Sequence, residues 1–235
     1  MEKINKKHSL YPTIAEFIGT FFLVFFGCGG MIMTQVEPSS LSPFLIPFLF
    51  GGTVTIMIYS LGHISGAHLN PAVTLAFGLT RKFPKRKILG HTLGQCFGAL
   101  SASLLHALIW GGGHDFGVAS SSRPFFFIFG GEVLFSFLLM FVIMSVATDT
   151  RAVGNLAGLA IGLTVTLCCF LGGPLMGLSM NPARTLGPVI LSGDWATSAA
   201  YFFGPYLGAA LGGWTYEKIK CFHEKENLEQ DNTCC

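Results

Sequence analysis

Asn70-Pro71-Ala72-Val73-Thr74 and Asn181-Pro182-Ala183-Arg184-Thr185 are two copies of one phrase, identical at four of five positions and 111 residues apart in a chain of 235. Asn is a favoured helix N-cap and Pro a favoured first helical residue, so each copy reads as the start of a helix. Each opens an apolar run too short to cross a membrane. An N-cap Asn accepts backbone N–H bonds through its side-chain oxygen, which leaves its NH2 group to point outward. The single difference, Val73 against Arg184, places a lone cation in one copy only.

The surroundings of the two phrases are apolar. The chain is 51% hydrophobic and 11% charged, with a mean hydropathy of +0.60. Between Phe17 and Gly62 the only charged residue is Glu37, in a Glu37-Pro38-Ser39-Ser40 break between two apolar runs. A soluble protein of this length needs a charged outer surface, and none is available here. The chain therefore reads as a membrane protein that crosses the bilayer several times. A net charge of +2 without a Lys/Arg stripe gives no footprint for nucleic acid.

Runs of about 20 apolar residues mark spanning helices. They fall at about Pro12–Met33, Phe44–Leu61, Ile88–Trp110, Phe125–Thr148, Asn155–Leu171 and Thr197–Tyr216. The first is too long, and wrongly flanked, for a cleaved signal peptide. The expected fold is all-α: six transmembrane helices plus two re-entrant half-helices. Twelve of the fourteen Lys and Arg residues lie in segments that an even number of spans puts on one side: Lys3, Lys6 and Lys7, the cluster from Arg81 to Lys87, Arg151, and Lys218, Lys220 and Lys225. The positive-inside rule makes that side the cytoplasm, with both termini in it.

The repeat extends past the paired phrases. Ala15-Glu16-Phe17 recurs as Gly131-Glu132-Val133, and Gly90, Gly94 and Gly98 recur as Gly204, Gly208 and Gly212. The chain thus divides into two halves of three spans, about 12–110 and 125–216, in one domain covering 1–235 with cytoplasmic tails 1–11 and 217–235. An odd number of spans per half forces the halves into opposite orientations, an inverted repeat. The glycine spacing is expected where the halves pack around the re-entrant loops. Both half-helix N-termini then point at mid-membrane, each carrying roughly +0.5 of an elementary charge. Cations meet a barrier there, while Asn70 and Asn181 offer donors to a neutral molecule with lone pairs. A water that accepts both bonds turns its protons away along the pore, which breaks a proton relay.

Two Asn-Pro-Ala phrases in opposite halves of a six-span repeat, with Arg after the second, resemble the aquaporin (major intrinsic protein) family from about Ile14 to Trp214. The similar stretches are Ala15-Glu16-Phe17-Ile18-Gly19-Thr20, the run from Gly62 to Thr74, and Met180-Asn181-Pro182-Ala183-Arg184. The resemblance implies an hourglass pore in each subunit and a homotetramer. It also implies a narrowest point built from four positions, which by spacing fall on Phe50, Cys169, Leu178 and Arg184. Water channels of the family usually carry His where this chain has Cys169, and a small residue is common where it has Leu178. Those two departures suit a small polyol or hydrogen peroxide. Against them, Thr185 stands where glycerol facilitators resemble one another in having Asp, and Tyr201-Phe202 has no counterpart in them. The expected function is a passive channel for water that excludes protons and ions. The alternative is a broader channel for small neutral solutes such as glycerol, hydrogen peroxide or ammonia.

The remaining polar residues sort around this reading. Glu16 and Glu132 are intramembrane carboxylates, and such groups are functional candidates by default; a proton-coupled transporter would use them so. In the family they look instead like acceptors bracing the re-entrant loops. His63 and His68 flank the first phrase, and loop bracing is expected of them, with proton sensing as the alternative. No cysteine pair or His pair has ligand spacing, so no metal or cofactor is expected. Cys28 and Cys96 read as small apolar fillers, and Cys234-Cys235 as part of a disordered tail, with lipidation in a eukaryote as the alternative. No catalytic pattern is present, so an enzyme is not expected; an adhesive role without flux is a third class. The expected partners are water, small neutral solutes in the alternative reading, and the lipid of a plasma or bacterial inner membrane.

Overall fold

In the computed structural model, residues 10–149, 151–152, 154–195 and 198–220 are described. Thr197, Lys3, Lys6, Lys7, Lys225, Cys234, Cys235 and most of both tails lie outside them. Eight α-helices succeed one another: α1 Tyr11–Val36, α2 Ile46–Ser65, α3 Pro71–Leu79, α4 Lys85–Trp110, α5 Phe125–Thr148, α6 Ala157–Met176, α7 Pro182–Ser192 and α8 Ser198–Ile219. Two single 3₁₀ turns precede α2 and α6, and no strand occurs among the described residues. The order long, long, short, long appears twice, as the repeat requires.

Five of the long helices, α1, α2, α4, α5 and α6, are long and apolar enough to cross a membrane. The sixth expected span, α8, has 22 residues but is diluted by Tyr201, Gly204, Pro205, Tyr206, Gly208 and Gly212. Its packing identifies it: α8 lies along α5 as α4 lies along α1. The α6 segment is longer than its apolar run suggests. The helix continues through Gly172-Gly173-Pro174 to Met176 and stops at Gly177, whose φ is +69°. A proline there removes only one donor in the last turn, which does not end the helix.

The glycine stripes join helices within each half rather than the two halves to each other. A Cβ on Gly98 would run into the backbone of Phe17 and Phe21 on α1, and one on Gly208 into Val133 on α5. The halves meet instead where α2 crosses α6, and where each half-helix packs on the closing span of the other half, α3 on α8 and α7 on α4. The N-terminal turns of both half-helices, residues 71–74 and 182–185, are thus buried in protein, the condition under which irregular backbone is tolerated at membrane depth.

Candidate functional site

Each half-helix is reached through a short irregular strand of backbone that must be held in place. In the first half Gly66, at φ +92°, stops α2, and Ala67 and Leu69 come next at φ +46° and +53°. Non-glycine residues pay to adopt this left-handed backbone, so the segment needs an external tie. Glu16 supplies it. Its Oε1 accepts from Ser65 Oγ at 2.7 Å and from the His68 amide at 2.9 Å. Its Oε2 accepts from the Leu69 amide at 2.7 Å and from Gln95 Nε2 at 2.6 Å. In the second half Gly177 stops α6, and Glu132 accepts the Ser179 amide at 2.6 Å and the Met180 amide at 2.8 Å. Both carboxylates are fully buried. The second brace is the sparser one, because Ala209 stands at the repeat position of Gln95 and brings no side-chain donor.

The two asparagines then cap their helices. Asn70 Oδ1 accepts from the Ala72 amide, and Asn181 Oδ1 from the amides of Ala183 and Arg184. Their NH2 groups are not wholly free, which departs from the expectation that they only point outward. Asn70 Nδ2 donates to the carbonyl of Met180 and Asn181 Nδ2 to that of Leu69, both at 2.8 Å. Met180, at φ +56°, and Leu69 hold their carbonyls toward the opposite amide. The half-helices therefore meet N-terminus to N-terminus, running in opposite directions, clasped by two reciprocal bonds. A primary amide carries two N–H groups, so one on each side remains for the lumen.

A cavity of ≈ 120 Å³ passes between the halves, and its wall includes Asn70 and Asn181 together with Phe50, Cys169, Leu178 and Arg184. Among the described residues, Arg184 is the only Lys, Arg, Asp or Glu in that wall. It is 2% exposed, its guanidinium carbon sits 5.3 Å from the centre of the Phe50 ring, and its Nη2 donates to Met31 Sδ at 3.1 Å. Its Nη1 is buried without a partner among the described residues, a donor left for whatever occupies the cavity. Phe50 itself fits because Gly27 of α1 has no side chain; a Cβ there would enter the ring. Met31, Gln95 and Gly27 carried no signal in the sequence, since each acts through a contact with a distant helix.

Two expected positions are decided by neighbouring geometry. Cys169 lines the cavity, while Cys168 is buried in the core beside it. Adjacent helical residues point about 100° apart, so the two thiols cannot share the lumen. Mercuric ion is accordingly expected to block flux in the parent and in Cys168→Ser, reversibly by a reducing thiol, and not in Cys169→Ser; a fully blocked Cys169→Ser would put the wrong thiol in the wall. His63 is a correction. It is exposed on the last turn of α2, before the Gly66 turn, and no hydrogen bond ties it to a neighbour among the described residues. The loop is braced by His68, whose Nδ1 lies 3.1 Å from Thr74 Oγ1, and by His91, whose Nε2 lies 3.1 Å from the Ser65 carbonyl. No group of three metal-ligating side chains occurs among the described residues.

Comparison with known proteins agrees with this architecture. Residues 3–216 match the family described as Major intrinsic protein. Aquaporin NIP1-1 of Zea mays is 42% identical over 210 residues, 88% of this chain and 74% of that protein. Nodulin-26 of Glycine max is 40% identical over 214 residues, covering 90% and 78%. The X-ray structure of the aquaglyceroporin from Plasmodium falciparum superposes with a TM-score of 0.76 at 25% identity, covering 89% of this chain and 94% of that one. A doubled Asn-Pro-Ala clasp, a half-helix pair enclosed by long apolar helices and these likenesses together mean that the chain belongs to the major intrinsic protein family, the aquaporins, and is an integral membrane channel rather than an enzyme.

Proposed function

We propose that this channel passes water as its principal permeant, passively, and excludes protons and other ions. The observation that carries the reading is the wall of the cavity: two asparagine amides at the meeting point of two half-helices, and one fixed charge, the cation Arg184. Pore width, an arginine and half-helix dipoles are the established basis of selectivity in aquaporin-type channels. A water at the clasp accepts from the spare N–H of Asn70 and of Asn181, so its own protons point along the pore and away from each other. The positive helix ends repel a cation arriving from either side. Asn70 and Asn181 are the midpoint donors in this reading; Phe50, Cys169, Leu178 and Arg184 form the filter; Glu16 and Glu132 brace the loops. The chain 1–235 acts as one channel domain of two repeats, with both termini cytoplasmic by the positive-inside rule, assembled as a homotetramer in a plasma or bacterial inner membrane.

Stopped-flow light scattering of proteoliposomes, with water, glycerol and hydrogen peroxide in parallel, tests the permeant. Water permeability well above that of protein-free vesicles, with a proton gradient retained, is the expected result. Water permeability at the protein-free level would refute it, as would uphill solute accumulation that dies when Glu16 or Glu132 is neutralised.

One observation favours a broader solute range as the second reading. Three of the four filter residues, Phe50, Cys169 and Leu178, present apolar or soft surface, and only Arg184 donates. That wall suits a molecule with one polar and one apolar edge, and an aquaglyceroporin is among the structural relatives. Glycerol flux comparable to water flux in the same assay would favour it.

Arg184→Val supplies a separate check, since Val73 already occupies the matching place in the other half. A guanidinium stays charged at any working pH and has five donors. Its removal is expected to raise proton or cation leak while substantial water flux persists. Vesicles of the variant that hold a proton gradient as tightly as the parent would remove Arg184 from the barrier.

A further inference from the structure

At the far end of α3 the chain turns through Thr80 and Arg81 into the basic run Arg81-Lys82-Phe83-Pro84-Lys85-Arg86-Lys87. The turn closes by a Schellman pattern: the Lys82 amide donates to the Phe77 carbonyl at 2.9 Å, and the Arg81 amide points to that of Gly78 at 3.4 Å. Glycine is the usual occupant of the left-handed position in this motif, yet Arg81 holds it at φ +60°. A cation is thus kept where the backbone would be more stable without a side chain. Beside it opens a cleft of ≈ 350 Å³ lined by Gly78, Arg81, Lys82, Phe83, Pro84 and Lys85.

Among the described residues, the charges around this cleft are largely uncompensated. Lys82 lies 3.5 Å from Glu217, a carboxylate that Lys220 also engages at 2.6 Å. No acidic side chain is within ion-pair distance of Arg81, Lys85, Arg86 or Lys87 among the described residues. Orientation by the positive-inside rule requires basic residues on this side, but not a cleft with three of them in its wall. The height of the cleft identifies the surroundings. Leu79 and Leu89, on either side of the basic run, are 59% and 69% exposed; in a bilayer they belong among acyl chains, so the cleft sits where chains end and headgroups begin.

We propose that the Arg81–Lys85 cleft is a binding site for the phosphate group of an anionic lipid. Arg81 and Lys85 grip the phosphate from two sides, Arg through paired N–H groups and Lys as a point charge, while Leu79 and Leu89 accompany the chains. The site is one side chain away from the pore wall: the Phe83 ring lies 4.7 Å from that of His68, which lines the cavity.

Native mass spectrometry of the detergent-solubilised full chain reads lipid retention directly, with phosphatidic acid as the probe and phosphatidylcholine as the reference. The parent is expected to retain phosphatidic acid preferentially. Each cation near an anionic group changes binding by about five-fold, so Arg81→Gln with Lys85→Gln should weaken retention about twenty-five-fold. Arg81→Gly separates binding from folding, because it relieves the left-handed strain: its thermal midpoint should rise while retention falls. Lys218→Gln, a cation of the same face outside the cleft wall, should leave retention unchanged. Equal retention by the Arg81→Gln, Lys85→Gln variant overturns the site, as does a parent with no preference over phosphatidylcholine. An equal loss in Lys218→Gln overturns it too, by reporting only a diffuse positive face. If inorganic phosphate displaces the lipid and raises the thermal midpoint as much as it does, the occupant is a soluble phosphate and the lipid assignment falls.

Discussion

Asn70→Ala combined with Asn181→Ala is expected to collapse the yield of folded protein and to abolish water flux in what remains. Each substitution removes a helix cap, at about 0.5–2 kcal/mol. Each also removes a donor from the carbonyl of the opposite half, at about 0.6–1.7 kcal/mol by measurements on hydrogen bonds between membrane helices. The four losses together come to about 2–7 kcal/mol, a large part of the net stability of about 5–15 kcal/mol that folded domains possess. Each single variant should show about half the effect. Recovery by size exclusion and the thermal midpoint in detergent measure stability, and stopped-flow measures conductance. A double variant matching the parent in all three would mean that neither the caps nor the clasp matters.

Glu16→Ala is expected to be the most damaging single substitution, and more damaging than Glu132→Ala. Removing Glu16 strands four donors: the Ser65 hydroxyl, the His68 and Leu69 amides and the Gln95 amide. Removing Glu132 strands the two amides of Ser179 and Met180. A buried donor left without a partner costs about 1–3 kcal/mol. Either loss exceeds an ordinary point substitution, and the first should exceed the second by about two such donors. Glu16→Gln keeps the size but turns one acceptor into a donor facing N–H groups, so it should also lower the thermal midpoint. A proton-coupling carboxylate behaves differently: its Gln variant folds as well as the parent and loses only coupled transport. A Glu16→Gln protein with the parent's thermal midpoint would therefore favour the transporter reading.

Local signals in the sequence were enough for most of this fold. Asn before Pro marks a helix start within a few residues, and the apolar runs mark the spans, so the half-helices and five of the six long helices were legible directly. The α8 helix was visible as a run yet falls short on apolarity, because its glycines face α5 and its tyrosines lie within the span. The features that were not legible depend on pairs far apart. That half of each asparagine's donor capacity goes to a carbonyl about 110 residues away has no periodic trace. Neither has the tie between Met31 and Arg184. His63 and His68 look alike as flanking histidines, but the left-handed turn at Gly66 separates them. One stays on a helix surface, and the other enters the cavity wall.

The clasp also bears on how the protein is made. After α4 has been synthesised, the first half contains a complete brace around Glu16, but the Asn70 amide and the Leu69 carbonyl still lack the partners they have in the finished channel. Those partners lie at Met180 and Asn181, 110 to 112 residues later. From the end of α4 at Trp110 they are about 70 residues away, which translation at about 5–20 residues per second covers in roughly 4–14 s. During that interval the nascent half-helix holds polar groups at membrane depth without their final partners. Arrival of Met180 and Asn181 supplies both partners. The bonds that form the pore midpoint are therefore also bonds that join the first half to the second during synthesis.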